Sequence, residues 1–308
     1  SRHGNERRDL RQASAMKVCR FNGGRLGVVE DGLVYDVTRV LDRLPAQRYP
    51  LPQKDLLVEA LPQLREPMRQ AMLGAQCHAV GAVAFDSPVA NPGKIIGAPI
   101  NYQDHLAESK ADAGIAHGRK ITSIADWGLF LKAGSALIGC SQDIVLRFED
   151  RRNDHEVELG VVIGSVCRQV RRADAMAHVA GYAVALDMTV RGTEFQSFRK
   201  SIDTYAVLGP WLVTADEIAD PNQLDLWLRV NGQPRQQSNT RHLVYDIARL
   251  IEYASSFYTL QPGDVIMTGT PQGVGPVLPG DRIEAGVDGV GQFEIRVAPA
   301  YAGAVATA

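Results

Sequence analysis

Apolar residues in this chain recur mostly in short runs, broken by glycine and by Asn-Gly or Asp-Gly pairs. From Lys17 the order is Lys-Val-Cys-Arg-Phe, Asn22-Gly23-Gly24, Arg-Leu-Gly-Val-Val, Glu30-Asp31-Gly32, Leu-Val-Tyr-Asp-Val, the pattern of a meander of β-hairpins. Pro45, Pro50 and Pro52 punctuate the next loop. Helical patterns are expected over residues 54–60 and 63–73, with Pro62 near the start of the second. Residues 74–92 are rich in small side chains and read as loop. A small N-terminal hairpin and helix domain over residues 16–90 is therefore expected, joined to the rest by the Ser87-Pro88…Asn91-Pro92-Gly93 segment.

Beyond that segment the pattern predicts strands at 94–98, 129–132, 154–164, 182–189 and 265–267. A helix is expected at 172–180, closed by Gly181. Residues 224–230 should form a hairpin turning at Asn231-Gly232, with Pro234 placing the return strand at an edge. A last hairpin, 282–287 with 291–297, should turn at Asp288-Gly289. Leu243, Ile247, Leu250, Ile251 and Ala254 make one apolar stripe, so 242–257 reads as an amphipathic helix. Residues 109–127 are polar and small with no clean period, which suits either a loop or a lid that orders over a ligand. The sum is a mixed β (α+β) fold with few helices and no internal repeat.

Composition narrows the classes. The chain has 308 residues, 22% charged and 45% hydrophobic, enough for one large domain or a large and a small one. A net charge of -2 gives no reason to expect nucleic acid or an anionic membrane as partner. No apolar run approaches the roughly 18 residues that span a bilayer. Cys19, Cys77, Cys140 and Cys167 show no CxxC spacing, which suits a reduced, cytoplasmic protein with buried thiols. Cys140, after a glycine, is a minor candidate for reactivity. Residues 1–15 are polar, rich in arginine and lack the apolar core of a signal peptide, so they are set aside as a leader or appended extension expected to be disordered. Residues 301–308 are set aside as a tail.

The residues with chemistry are acidic. On a strand Glu156 and Glu158 point one way, while Val157, Leu159, Val161 and Ile163 point the other. Two carboxylates on one face are explained either by solvent or by a divalent cation that neutralises them. Asp187 ends a strand reached from the first by a crossover. If both strands lie in one sheet, the three carboxylates form an open set of hard oxygen ligands suited to Mg²⁺ or Mn²⁺. His105 and Glu108 lie three apart, so on a helix they touch, and a carboxylate on one imidazole nitrogen leaves the other free to take a proton. The alternative is a surface ion pair. Lys132 reads as a strand-end charge, the alternative being a ligand-facing base. The Thr268-Gly269-Thr270…Gly273-Val274-Gly275 loop offers backbone and hydroxyl donors to an anion.

Several stretches in this order resemble the fumarylacetoacetate hydrolase family. They are Asn101-Tyr102…His105…Glu108, Glu156-Val-Glu158-Leu, Asp187 followed by Arg191, Leu208-Gly209-Pro210-Trp211, Val230-Asn231-Gly232, and Pro262-Gly263-Asp264…Thr268-Gly269-Thr270-Pro271. The resemblance runs from about Lys94 to Val297. It implies a rolled β-sheet catalytic domain over 91–300, a homodimer, and Mg²⁺ (replaceable by Mn²⁺ or Ca²⁺) on Glu156, Glu158 and Asp187. It implies further that Lys200 holds a substrate carboxylate or enolate, that Thr270, with Gly269, touches the substrate, and that His105 and Glu108 activate water beneath a lid. One run departs from the family pattern. Where many relatives carry Arg-Asp-x-Gln, this chain has Arg191-Gly192-Thr193-Glu194, so Glu194 takes the substrate-facing place, with Gln196 close behind.

The activity implied is hydrolysis of a C–C bond in a small keto acid of the acylpyruvate or fumarylpyruvate type. Two competitors share the site. One is an isomerase, tautomerase, hydratase or decarboxylase, of the 2-hydroxyhepta-2,4-diene-1,7-dioate isomerase or oxaloacetate decarboxylase type. The other, from a different class, is a non-catalytic keto-acid binder.

Overall fold

The computed structural model describes residues 15–301. The expected leader, apart from Ala15, and the expected tail, apart from Tyr301, lie outside the described residues.

Strands dominate, and most of them join one twelve-stranded mixed sheet. Its main path runs Cys77–Ala79, Leu33–Asp36, Arg25–Glu30, Lys17–Phe21, Ala206–Thr214, Val179–Asp187, Val157–Ile163, Val265–Met267, Ile95–Gly97 and Phe130–Lys132. The short Leu137–Ile138 strand follows Phe130–Lys132 in the chain yet pairs in parallel with Ala206–Thr214. The far edge is thereby carried back towards the centre, and the sheet is rolled. The N-terminal hairpins form as their turn residues demand, with Asp31 and Gly32 at φ 50 and 75. They are continuous with the main sheet, because Lys17 and Val18 pair with Val213 and Leu212.

Alternation along the central strand separates two cores. Val157, Leu159, Val161 and Ile163 lie in the larger cluster, with Leu226, Leu228 and Ile283 of a second, five-stranded sheet and Leu250 and Ile251 of the Ile247–Phe257 helix. Val162 faces the other way, into a cluster with Val58, Leu61, Leu64 and Met68 of the Leu56–Met72 helix. Glu156 and Glu158 share that second face, beyond the end of its apolar cover.

Four expected helices differ from those observed. Residues 54–60 and 63–73 form one helix, Leu56–Met72, capped by Asp55 and containing Pro62 and Pro67. Pro62 is exposed and Pro67 half-buried, and the buried stripe Val58, Leu61, Leu64, Met68 and Ala71 anchors the helix on both sides of each proline. The 172–180 helix shrinks to Arg172–Ala175 and a single 3-10 turn, and Val179 already begins a strand. Pairing on both sides of Val179–Asp187 wins over helical propensity there. The last helix begins at Ile247 rather than at 242, because Asp246 caps it and Leu243 bridges to Tyr102. The 74–92 stretch also carries two short strands, Cys77–Ala79 and Phe85–Asp86.

Among the described residues no helix is long and apolar enough to cross a membrane. Cys140 is buried, and burial pushes its thiol up to about 12, which removes it as a reactive group.

Gly181, expected to close a helix, sits inside the sheet. A Cβ there would lie 2.1 Å from the Val213 carbonyl oxygen, which backbone pairing holds in place. Gly181→Ala is expected to cost about 1–3 kcal/mol, measured by urea unfolding. Gly24→Ala, where a Cβ meets open space but φ is 113, should cost about 1–3 kcal/mol through backbone strain alone.

Candidate active site

The acidic strand expected at 154–164 is interrupted at Glu156. Asn153–His155 belongs to a small three-stranded sheet and Val157–Ile163 to the large one. The neighbouring strand changes sheet in the same way, from Val179–Asp187 to Thr189–Val190. The first change falls at Glu156 and the second just after Asp187, whose N–H donates to the Glu156 carbonyl at 2.9 Å. Glu156, Glu158 and Asp187 are thereby placed on one face, all buried, with ligand oxygens within 4.8 Å of one another. The solvent explanation of Glu156 and Glu158 is excluded, since they are only 4% and 2% exposed.

Cations reach two of the three. Lys200 Nζ donates to Glu156 Oε2 and Asp187 Oδ2, both at 2.9 Å, and to Thr189 Oγ1. Arg191 donates to Asp154 Oδ2 at 2.9 Å and to Glu156 Oε1 at 3.2 Å. Lys132 corrects its expected role as a strand-end charge: it is 3% exposed, and its ammonium donates to Asp187 Oδ1. The rolling of the sheet brings this edge strand over Asp187, which strand order along the chain does not reveal. Against the upward push of burial, Lys200 and then Arg191 hold the Glu156 carboxyl down at about 2. Glu158 has no lysine or arginine within 4 Å among the described residues; its hydrogen bond comes from the Gly269 N–H at 2.8 Å. Burial, then Asp187 and Glu156, push its carboxyl well above the ordinary 4.5. Three hard oxygen donors with one charge left uncompensated fit a divalent cation.

The His–Glu pair forms on the Gln103–Ala111 helix, with His105 Nδ1 2.8 Å from Glu108 Oε2. His105 is 5% exposed, so it is no surface pair. The Gly273 N–H donates to Glu108 Oε1 at 3.0 Å. The glycine-rich loop was expected to offer its donors to an anion in general. Its Gly269 and Gly273 amides go to two of the protein's own carboxylates and fix them.

A cavity joins the two constellations. His105, Ser109, Arg119, Gln196, Arg199 and Thr270 are among the residues that line it, together with the three carboxylates, Arg191 and Lys200. Its free volume is about 50 Å³, because residues 109–127 cover it, with the short helices Ala113–Ala116 and Ile124–Trp127. The Ser109 hydroxyl, buried in this wall, has no hydrogen-bond partner among the described residues. A wider cleft of about 980 Å³ beside Lys17, Arg69 and Glu217 lies elsewhere and holds neither the triad nor the dyad.

Glu194 is not where the sequence put it. Its carboxylate accepts from Arg151 Nη1 and Nη2 at 2.9 and 2.8 Å and lies outside the cavity wall, whereas Gln196 is part of it. Gly192 permits this: a Cβ there would lie 1.9 Å from Arg151 Nη2. Thr270 lines the cavity, but its hydroxyl donates to the Val157 carbonyl at 2.9 Å and accepts from Gln236 Nε2 at 2.7 Å. Gln236 also accepts from the Val157 N–H at 3.0 Å. Sequence reasoning passed over Gln236, Arg151, Arg119 and Arg199; only Arg199, beside Lys200, stood near a residue already singled out.

Comparison with known proteins agrees with this geometry. Residues 94–298 match the family described as fumarylacetoacetate (FAA) hydrolase C-terminal. The chain belongs to that family. It is 51% identical over 284 residues, 92% of this chain and 99% of the other, to maleylpyruvate hydrolase of Aquipseudomonas alcaligenes. It is 35% identical over 294 residues, 90% and 94% of the two chains, to 2,4-didehydro-3-deoxy-L-rhamnonate hydrolase of Sphingomonas sp. (strain SKA58). The crystal structure of maleylpyruvate hydrolase from Sphingobium sp. SYK-6, in complex with manganese(II) and pyruvate, superposes with a TM-score of 0.79 at 42% identity. That match covers 93% of this chain and 100% of the other. The rolled, strand-dominated fold expected from the resemblance is thus the fold of its solved relatives.

The raised carboxyl at Glu158 has a consequence for stability. A metal-free folded protein binds that proton more tightly than the unfolded chain. Stability should therefore decline as pH rises from 4.5 through the raised value. Glu158→Gln is expected to flatten this decline in EDTA, measured as melting temperature against pH. An unchanged slope would show that the charge is already compensated.

Proposed function

We propose that this chain is a divalent-metal-dependent hydrolase that cleaves a C–C bond in an acylpyruvate-type β-diketo acid, of the maleylpyruvate or fumarylpyruvate kind. The observation that carries this reading is the meeting, in one covered cavity, of a three-carboxylate cluster with a His–Glu dyad whose glutamate is held on both oxygens. A pure binder has no use for the dyad. The 51% identity to a maleylpyruvate hydrolase, and the manganese(II) and pyruvate held by a solved relative, support the same reading. Glu156, Glu158 and Asp187 would hold the cation, taken as Mg²⁺ with Mn²⁺ or Ca²⁺ as replacements. When bound, the cation supplies Lewis acidity to the oxygens of the keto acid.

The remaining work falls to the chain's own residues. Glu108 holds Nδ1–H of His105, which leaves Nε2 as the acceptor for a proton from water. The hydroxide oxygen bonds to the acyl carbonyl carbon, the bond from that carbon to C3 of the pyruvate half breaks, and C3 recovers the proton from Nε2. The products are pyruvate and a second carboxylic acid. Lys200 places a positive charge beside the site where negative charge develops, and Arg191 holds Asp154 and Glu156 in position. Thr270, braced by Gln236, and Gln196 line the substrate's space. The covering segment keeps out bulk water.

We take the working unit to be a homodimer, as the family resemblance implies, in the cytoplasm, as the scattered cysteines suit; sedimentation should give twice the chain mass.

EDTA is expected to abolish turnover of maleylpyruvate and added Mn²⁺ or Mg²⁺ to restore it. His105→Ala should lower kcat by about 10²–10⁴. Product analysis separates the competitors, since isomerisation and decarboxylation release no second carboxylic acid. Full activity in EDTA, or turnover without that acid, would sink the proposal.

A further inference from the structure

Arg199 is 4% exposed, and a guanidinium so buried is costly unless an anion accompanies it. None does. Its hydrogen bonds go to two carbonyls, Glu194 O at 2.9 Å and Val190 O at 3.3 Å. Arg119, on the covering segment, donates to Gly192 O at 2.7 Å and to the same Glu194 O at 2.8 Å. Two like-charged groups therefore converge on one carbonyl oxygen, and both line the cavity. Among the described residues no carboxylate lies within ion-pair distance of either. The Glu194 carboxylate, whose carbonyl both arginines share, is taken by Arg151 in a two-pronged bond that Gly192 makes room for. Arg191 and Lys200, which line the same space, are already paired with carboxylates.

From this we infer that Arg119 and Arg199 form the seat for a second carboxylate, carried at the far end of the substrate's acyl arm. The two guanidiniums offer planar, forked donors suited to that group. The site selects acylpyruvates that end in a carboxylate over those that end in a methyl group. Because Arg119 comes from the cover and Arg199 from the body, the bound carboxylate also ties the cover shut. This inference rests on the acylpyruvate reading for its substrate, but not for its anion.

The test compares wild type with Arg119→Gln and Arg199→Lys, each checked for an unchanged melting temperature. Maleylpyruvate ends in a carboxylate and acetylpyruvate in a methyl group. Loss of a charge-assisted pair should lower kcat/KM for maleylpyruvate about 10–100-fold, with acetylpyruvate little changed. Maleate, whose binding needs no turnover, should bind more weakly by a similar factor in calorimetry. If both substrates fall equally in folded variants, or if maleate affinity does not move, the arginines only hold the cover and the seat is overturned. If wild type hydrolyses neither substrate, the proposed function fails, while weaker maleate binding in the variants still supports the seat.

Discussion

Three carboxylates buried on one face of a sheet repel each other, and much of the surrounding structure compensates that repulsion. Lys200 bridges Glu156 and Asp187, Lys132 covers the other oxygen of Asp187, and Arg191 spans Asp154 and Glu156. These cations come from a strand edge, a loop and a short helix, so the rolling of the sheet is what assembles them. Glu158 alone is left with a backbone amide, and burial beside Asp187 and Glu156 raises its carboxyl.

The same constraint accounts for the break in both central strands. The break at Glu156 lets Asn153–His155 pair within the three-stranded sheet while Val157–Ile163 pairs within the large one. By changing sheet at Glu156 and again after Asp187, the chain opens the face at the point where the carboxylates lie. The glycine-rich loop closes the other side, with Gly269 on Glu158 and Gly273 on Glu108. One loop thus fixes a candidate metal ligand and the acid that orients the base, which ties the two halves of the proposed chemistry to a common geometry.

The replacement of the usual run by Arg191-Gly192-Thr193-Glu194 is coordinated with its surroundings. Gly192 admits Arg151, Arg151 draws Glu194 out of the cavity, and the wall there is left to Gln196, Arg119 and Arg199. A carboxylate facing inwards would have neutralised the two arginines; turned outwards, it leaves them for a ligand.

Local signals in the sequence were sufficient for the hairpin turns, the edge strand at Pro234, the shared face of Glu156 and Glu158, and the His105–Glu108 contact. Each depends on residues a few positions apart, whose geometry is set by strand or helix period. The roles of Lys132, Gln236, Arg119, Arg199 and Glu194 were decided only in the tertiary structure. Their partners lie far along the chain or depend on which way a side chain turns, as with Lys132 and Asp187, 55 residues apart, or Gln236 and Val157, 79 apart. Period and propensity carry no information about such distances. Burial made the difference for the acidic strand itself: alternation put two carboxylates on one side, and only the closed sheet took that side out of water.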